Sequence, residues 1–181
     1  MPVPRTGGSE KGLFIWAVGQ QESGGNYHAV NPGSGALGRW QVMPANLPGW
    51  EAHCRMPQAG PDYFLTHPLY QNRMIDCILG GYYNRYGPYG AASMWYSGQP
   101  DWQATYGNPP VYVYVRDVIA LMKDPNARPI PGISGGAPPF GETPVPTRQD
   151  DWSAHIKRSA EQFSNVSQGL SAHTQRIRAL L

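Results

Sequence analysis

One carboxylate is set apart by its surroundings. Glu22 follows the apolar run Leu13-Phe14-Ile15-Trp16-Ala17-Val18 and precedes Ser23-Gly24-Gly25. Against an apolar wall a carboxyl group favours its neutral form, and its pKa rises. A carboxylic acid still protonated near neutral pH is what protonation of a glycosidic oxygen requires. Residue chemistry alone leaves a second reading open, since a glutamate at a helix end is usually a solvated charge. Other groups suited to a sugar are spread along the chain. Trp40, Trp50, Trp95 and Trp102 offer flat apolar faces, and each is equally suited to a core or a groove wall. Asn31 and Asn84 offer amide contacts and are as much at home in a turn or at a helix end. Cys54 and Cys77 can pair or stay free, and spacing does not decide between the two. His173 has no His or Cys three or four residues away, so it reads as a tolerated polar residue; no metal or other cofactor is expected.

The elements that must position these groups are mostly helical. Ser9 can cap a helix with Glu10 in its first turn, and the apolar run carries that helix to about Glu22, where Gly24-Gly25 stops it. Residues 31–38, NPGSGALG, read as a turn or a short hairpin. Pro44 starts a short helix through Trp50, and Pro68 sits where a first helical turn tolerates proline. Gln71, Ile75, Ile78, Leu79, Tyr82 and Tyr86 then mark one face of a long helix ending at Gly87. Ala91 to Tyr96 is a further short helix broken at Gly98. Val111, Val115, Val118, Ile119 and Met122 recur at helical spacing after Pro109-Pro110. Three regions follow from this pattern: a mainly α domain over 1–124, a Pro/Gly-rich linker over 125–149, and a C-terminal helix over 150–181. In the last region Trp152, Ile156, Ser159, Phe163, Val166, Leu170, His173, Ile177 and Leu180 step by four and three, a coiled-coil-type seam. A lone helix in water does not bury such a seam. It is expected to pack on copies of itself, on a partner's helices, or back on the first domain.

Bulk composition narrows the function classes. The chain has 181 residues, enough for one domain with an appendage. Charged residues are 14 % and aromatics 12 %, so the charge density is well below the roughly 25 % of an average domain. That balance suits an aromatic-lined sugar groove. A net charge of +2 is too mild to argue for nucleic acid. No apolar run approaches a membrane span, and the opening MPVPRTGGSEKG lacks the charged and apolar regions of a secretory signal.

The stretch Glu22-Ser23-Gly24, Gly35-Ala36, Gly38, Gln41 and Pro44 resembles the first motif of the lysozyme-like transglycosylases of the soluble lytic type. Residues 64–99 resemble the rest of that domain in phage tail-associated members, with Ala91 to Gly98 in the place of the family's Ala-Tyr-Asn-Ala-Gly element. The resemblance spans about residues 10–122. It implies a lysozyme-like α domain that cuts the bond between N-acetylmuramic acid and N-acetylglucosamine in peptidoglycan, with Glu22 as single acid and base. It also implies that Gln41 lines the groove and that Tyr96, beside Trp95, contacts the acid or the sugar. Ser23 matches the motif as well, either facing substrate or holding its turn. Ser97 departs from the family's Asn. A hydrolytic muramidase with Glu51 or Asp62 as second acid remains an alternative, as does a catalytically silent glycan-binding or structural module of the same fold. The C-terminal seam and the phage-type second block together point to a virion tail or contractile injection particle, with 150–181 docking a structural protein of that assembly or forming a homo-oligomer.

Overall fold

A computed structural model describes residues 10–130 and 133. Of the expected linker over 125–149, residues 131–132 and 134–149 lie outside the described residues, as does the seam over 150–181. Among the described residues five α-helices follow one another: α1 Glu10–Ser23, α2 Leu47–His53, α3 Gly60–Thr66, α4 Pro68–Ser97 and α5 Val111–Met122, with a 3₁₀ turn at Pro44–Asn46 leading into α2. Among the described residues extended pairing is limited to two isolated bridges, Val30 with Leu37 and Leu37 with Val42, which fold the 30–42 loop back on itself.

Helix α1 is the central element because it is apolar nearly all round. Phe14, Ile15, Ala17 and Val18 are fully enclosed, and the helix packs against both α4 and α5. Glu10 in its first turn complements the positive end of the helix dipole. Gly24 and Gly25 stop the helix with φ of 64° and 86°. Their N–H groups donate to Gln20 O at 2.9 Å and Gly19 O at 3.0 Å, using two terminal carbonyls.

Helix α4 has a break. Gly87 takes φ 65° and ψ −179°, and Pro88 restarts the helix, so the second half begins before Ala91. Gly98, with φ 73°, then ends it. Helix α5 presents Val111, Tyr114, Val115, Val118, Ile119 and Met122 to the core. The core extends past the expected domain end at 124, since Ala127, Ile130 and Ile133 are also buried. Helix α3 has no counterpart in the sequence reading. It is two turns long and buries Phe64 alone, too little for a periodic signal.

Cys54 and Cys77 form a disulfide with their Cα atoms 6.0 Å apart, joining the end of α2 to α4. Its sequence separation of 23 corresponds to about 3 kcal/mol of loop entropy removed from the unfolded chain.

Candidate active site

Glu22 occupies the last turn of α1, where the helix meets the glycine turn. Part of the residue still reaches solvent, but its carboxyl end is packed among aromatic groups. The Tyr114 hydroxyl donates to Glu22 Oε1 at 2.5 Å, and the Trp95 indole donates to the same carboxyl group. Burial raises the pKa of Glu22 from its ordinary 4.5 to about 7, while the bonds from Tyr114 and Trp95 pull it down by less. None of the causes of that shift is a second carboxylate. The group is therefore poised to exist in both protonation states near neutral pH. As an acid it can donate; as a carboxylate it has two fixed donors ready to hold its charge.

Those donors are themselves held in place. Tyr114 is buried in α5, and burial and the neighbouring Glu22 charge push its phenol pKa well up, so it stays a donor throughout. Tyr96 stacks on Tyr114 with centroids 4.4 Å apart and planes 13° apart. The Tyr96 hydroxyl donates to Pro109 O at 2.7 Å, so its ring supports Tyr114 while its polar end fastens the chain leading into α5. Trp95 packs on Trp50 of α2 at 5.7 Å.

The loop carrying Gln41 is sewn to the end of α1. Ser23 Oγ donates to Arg39 O at 2.8 Å and accepts from Asn26 N–H at 3.0 Å. Arg39 Nη1 donates to Gly25 O at 3.3 Å. Its guanidinium lies 5.2 Å and 5.5 Å from the rings of Tyr27 and Trp40, within reach of cation–π attraction. Gln71, fully buried in α4, accepts from Arg39 N–H at 3.1 Å. Its amide donates to Tyr27 O and Phe64 O, both at 2.8 Å. Gly38 has φ 70°, and a Cβ there would stand 2.4 Å from Gln71 Oε1 and 2.9 Å from Phe64, so only glycine fits between them. Gln41 has φ 51° and its amide donates to Gly38 O at 3.0 Å.

The remaining sequence-singled residues fall in different places. Asn31 is exposed. Its side-chain oxygen accepts from Gly33 N–H at 2.9 Å and Ser34 N–H at 3.1 Å, an Asx turn within its own loop. Trp40 has no exposed surface and its indole donates to Ile15 O at 2.8 Å, so it is core and not a sugar contact. Trp50 is also buried. Glu51 is 2 % exposed and accepts from Tyr70 hydroxyl at 2.9 Å and Ala59 N–H at 3.2 Å, which makes it a fastener of the α2–α3 connection. Asp62 lies exposed in the first turn of α3. Two residues that the sequence reading did not single out matter at this site. Tyr114 sits in the apolar stripe of α5, and a phenol in such a stripe demands a buried acceptor; that was its signal. Arg39 carried none, because its role depends on the two rings and the turn that fold around it.

Residues 7–89 match the family model described as the transglycosylase SLT domain. The match is consistent with a lysozyme-like domain of this type over those residues and supports, in general, a peptidoglycan lytic transglycosylase-type activity. The match includes Glu22, Ser23 and Gln41 and ends before Trp95, Tyr96 and Tyr114. Neither the curated proteins nor the solved structures yield a significant match.

Proposed function

We propose that the protein cleaves the β-1,4 bond between N-acetylmuramic acid and N-acetylglucosamine, with Glu22 as the only acid and base. Neutral Glu22 gives its proton to the bridging oxygen as the bond from the anomeric carbon to that oxygen breaks. The sugar's own acetamido oxygen stabilises the positive anomeric centre, so no second carboxylate is needed. Glu22, now a carboxylate held by Tyr114 and Trp95, takes the proton of the muramyl C6 hydroxyl. The C6 oxygen bonds to the anomeric carbon and closes a 1,6-anhydro ring. Glu22 is restored to its starting state, and no water is consumed.

The observation that carries this reading is the carboxyl of Glu22, raised to a pKa of about 7 by burial and contacted by two neutral donors. The placement of Glu51 and Asp62 in other settings favours one acid over two. Clearing of purified sacculi by the wild-type chain, abolished in Glu22→Gln, is the expected outcome. Equal inactivity of both proteins in sacculus clearing, with retained sacculus binding, would replace the enzyme with a silent glycan-binding module.

The wider setting we infer is a phage tail or contractile injection particle, where the enzyme opens the wall locally. The support is the regular apolar seam of 150–181, which suits docking on a structural protein of the particle. Purified particles should contain the chain at a fixed ratio to a tail component; its absence from them would overturn this placement.

A further inference from the structure

The four tryptophans suited to sugar stacking are sorted by their surroundings. Trp40 and Trp50 are buried, and Trp95 donates to Glu22. Trp102 differs. It is 42 % exposed, and its ring centroid lies 5.2 Å from that of Tyr89, also 42 % exposed, with the planes at 56°. Single exposed aromatics are ordinary on a protein surface, but two in contact form one continuous apolar face.

The frame of this pair is fixed, and it is the frame of the acid's donors. Tyr89 stands in the second half of α4, the segment that also carries Trp95 and Tyr96. Trp102 stands in the connection from α4 to α5. That connection is tied to α4 by Ser93 Oγ donating to Gln99 O at 2.6 Å and Ser97 Oγ donating to the same oxygen at 3.1 Å. Farther on, Tyr112 N–H donates to Ala104 O at 3.1 Å, two residues before Tyr114. The open pair and the two donors that hold the Glu22 carboxyl are therefore positioned by the same two helices and the loop between them.

We propose that Tyr89 and Trp102 form a stacking platform for a pyranose ring of a glycan strand whose scissile bond lies at Glu22. This rests on the proposed function. The C–H face of a β-linked sugar is apolar and its rim is polar, so an aromatic platform buries the first and leaves the second to hydrogen-bond. Exposed Gln99, Asp101 and Gln103 flank Trp102 and supply partners for such a rim. A protein partner would ask for a far larger apolar area than two rings, about 800 Å² per side for a standard interface. The platform adds affinity for long strands and holds the polymer on the protein between cuts.

The test is binding of purified sacculi by Glu22→Gln protein, which retains the strand without cutting it, compared with the same protein carrying Trp102→Ala or Tyr89→Ala. Each added substitution is expected to weaken sacculus binding about tenfold, the effect of losing one aromatic contact of about 1.4 kcal/mol. Trp102→Phe should restore most of the loss, and all variants should melt within a few degrees of their parent. Unchanged sacculus binding in folded Trp102→Ala and Tyr89→Ala proteins would overturn the platform while leaving the proposed function in place. A wild-type chain that neither binds nor clears sacculi would overturn the proposed function and the platform with it.

Discussion

Replacing Glu22 with Gln should stabilise the protein, and should do so only above acidic pH. The carboxyl has an ordinary pKa of 4.5 in the unfolded chain and about 7 in the folded one. The folded state therefore holds a proton that the unfolded state releases, and stability falls as pH rises between these values. The contribution of the neutral carboxyl is fully present below pH 4.5 and gone by about pH 7. At about 1.4 kcal/mol for each tenfold change in proton affinity, the penalty at alkaline pH approaches roughly 3 kcal/mol. Glutamine has nearly the same shape, accepts the Tyr114 hydroxyl, and carries no charge to bury. Urea unfolding of both proteins at pH 4.5, 5.5, 6.5 and 7.5 isolates this effect, because every other titrating group is shared and cancels in the difference. With a urea slope of about 1–3 kcal/mol/M, the midpoint of Glu22→Gln should move ahead of wild type by roughly 1–3 M across that range. A difference that does not change with pH, or one that grows toward acid, would show that Glu22 is not a desolvated acid and would remove the basis of its catalytic role.

Other outcomes follow from the same geometry. The kcat/KM of wild type on sacculi should fall as pH rises through about 7, where Glu22 loses the proton it must donate; a pH–rate profile flat from 6 to 8 would contradict this. Tyr114→Phe removes a bond that lowers the Glu22 pKa, so the alkaline limb should move to higher pH while kcat drops by about tenfold to a hundredfold. Reduction of Cys54–Cys77, or replacement of both residues by Ser, should cost about 3 kcal/mol of stability, seen as a lower urea midpoint. Gly38→Ala forces a Cβ toward Gln71 Oε1 at a left-handed position, with an expected loss of about 2 kcal/mol or more; a melting temperature equal to wild type would show that the Gln71 clasp yields.

The helices were legible where an apolar stripe had enough turns to repeat. The apolar run of α1, its glycine stop, the Gly87 break and the stripe of α5 are local features, and backbone preference sets them. Helix α3 escaped because a two-turn helix with one buried residue offers no period to read. Glu22 was legible as a candidate acid through its motif, but its environment was not. Tyr114 lies 92 residues from Glu22 along the chain, so their bond exists only once α1 and α5 pack. Trp40 illustrates the same limit: a tryptophan next to a motif residue reads as a sugar contact or as core, and only the enclosure by α1 decides. The disulfide likewise depended on how α2 docks against α4. The early end set for the domain at 124 came from proline content, which marks irregular backbone but not whether Ile130 and Ile133 pack inward.

The most direct measurement is the chemistry of the ends released from purified sacculi, read by mass spectrometry. Wild type should release fragments ending in 1,6-anhydromuramic acid, and Glu22→Gln, folded and more stable at neutral pH, should release none. Reducing ends from wild type would show that water, and not the C6 hydroxyl, attacks the anomeric carbon. Anhydro ends produced equally by Glu22→Gln would show that Glu22 does not carry the proton.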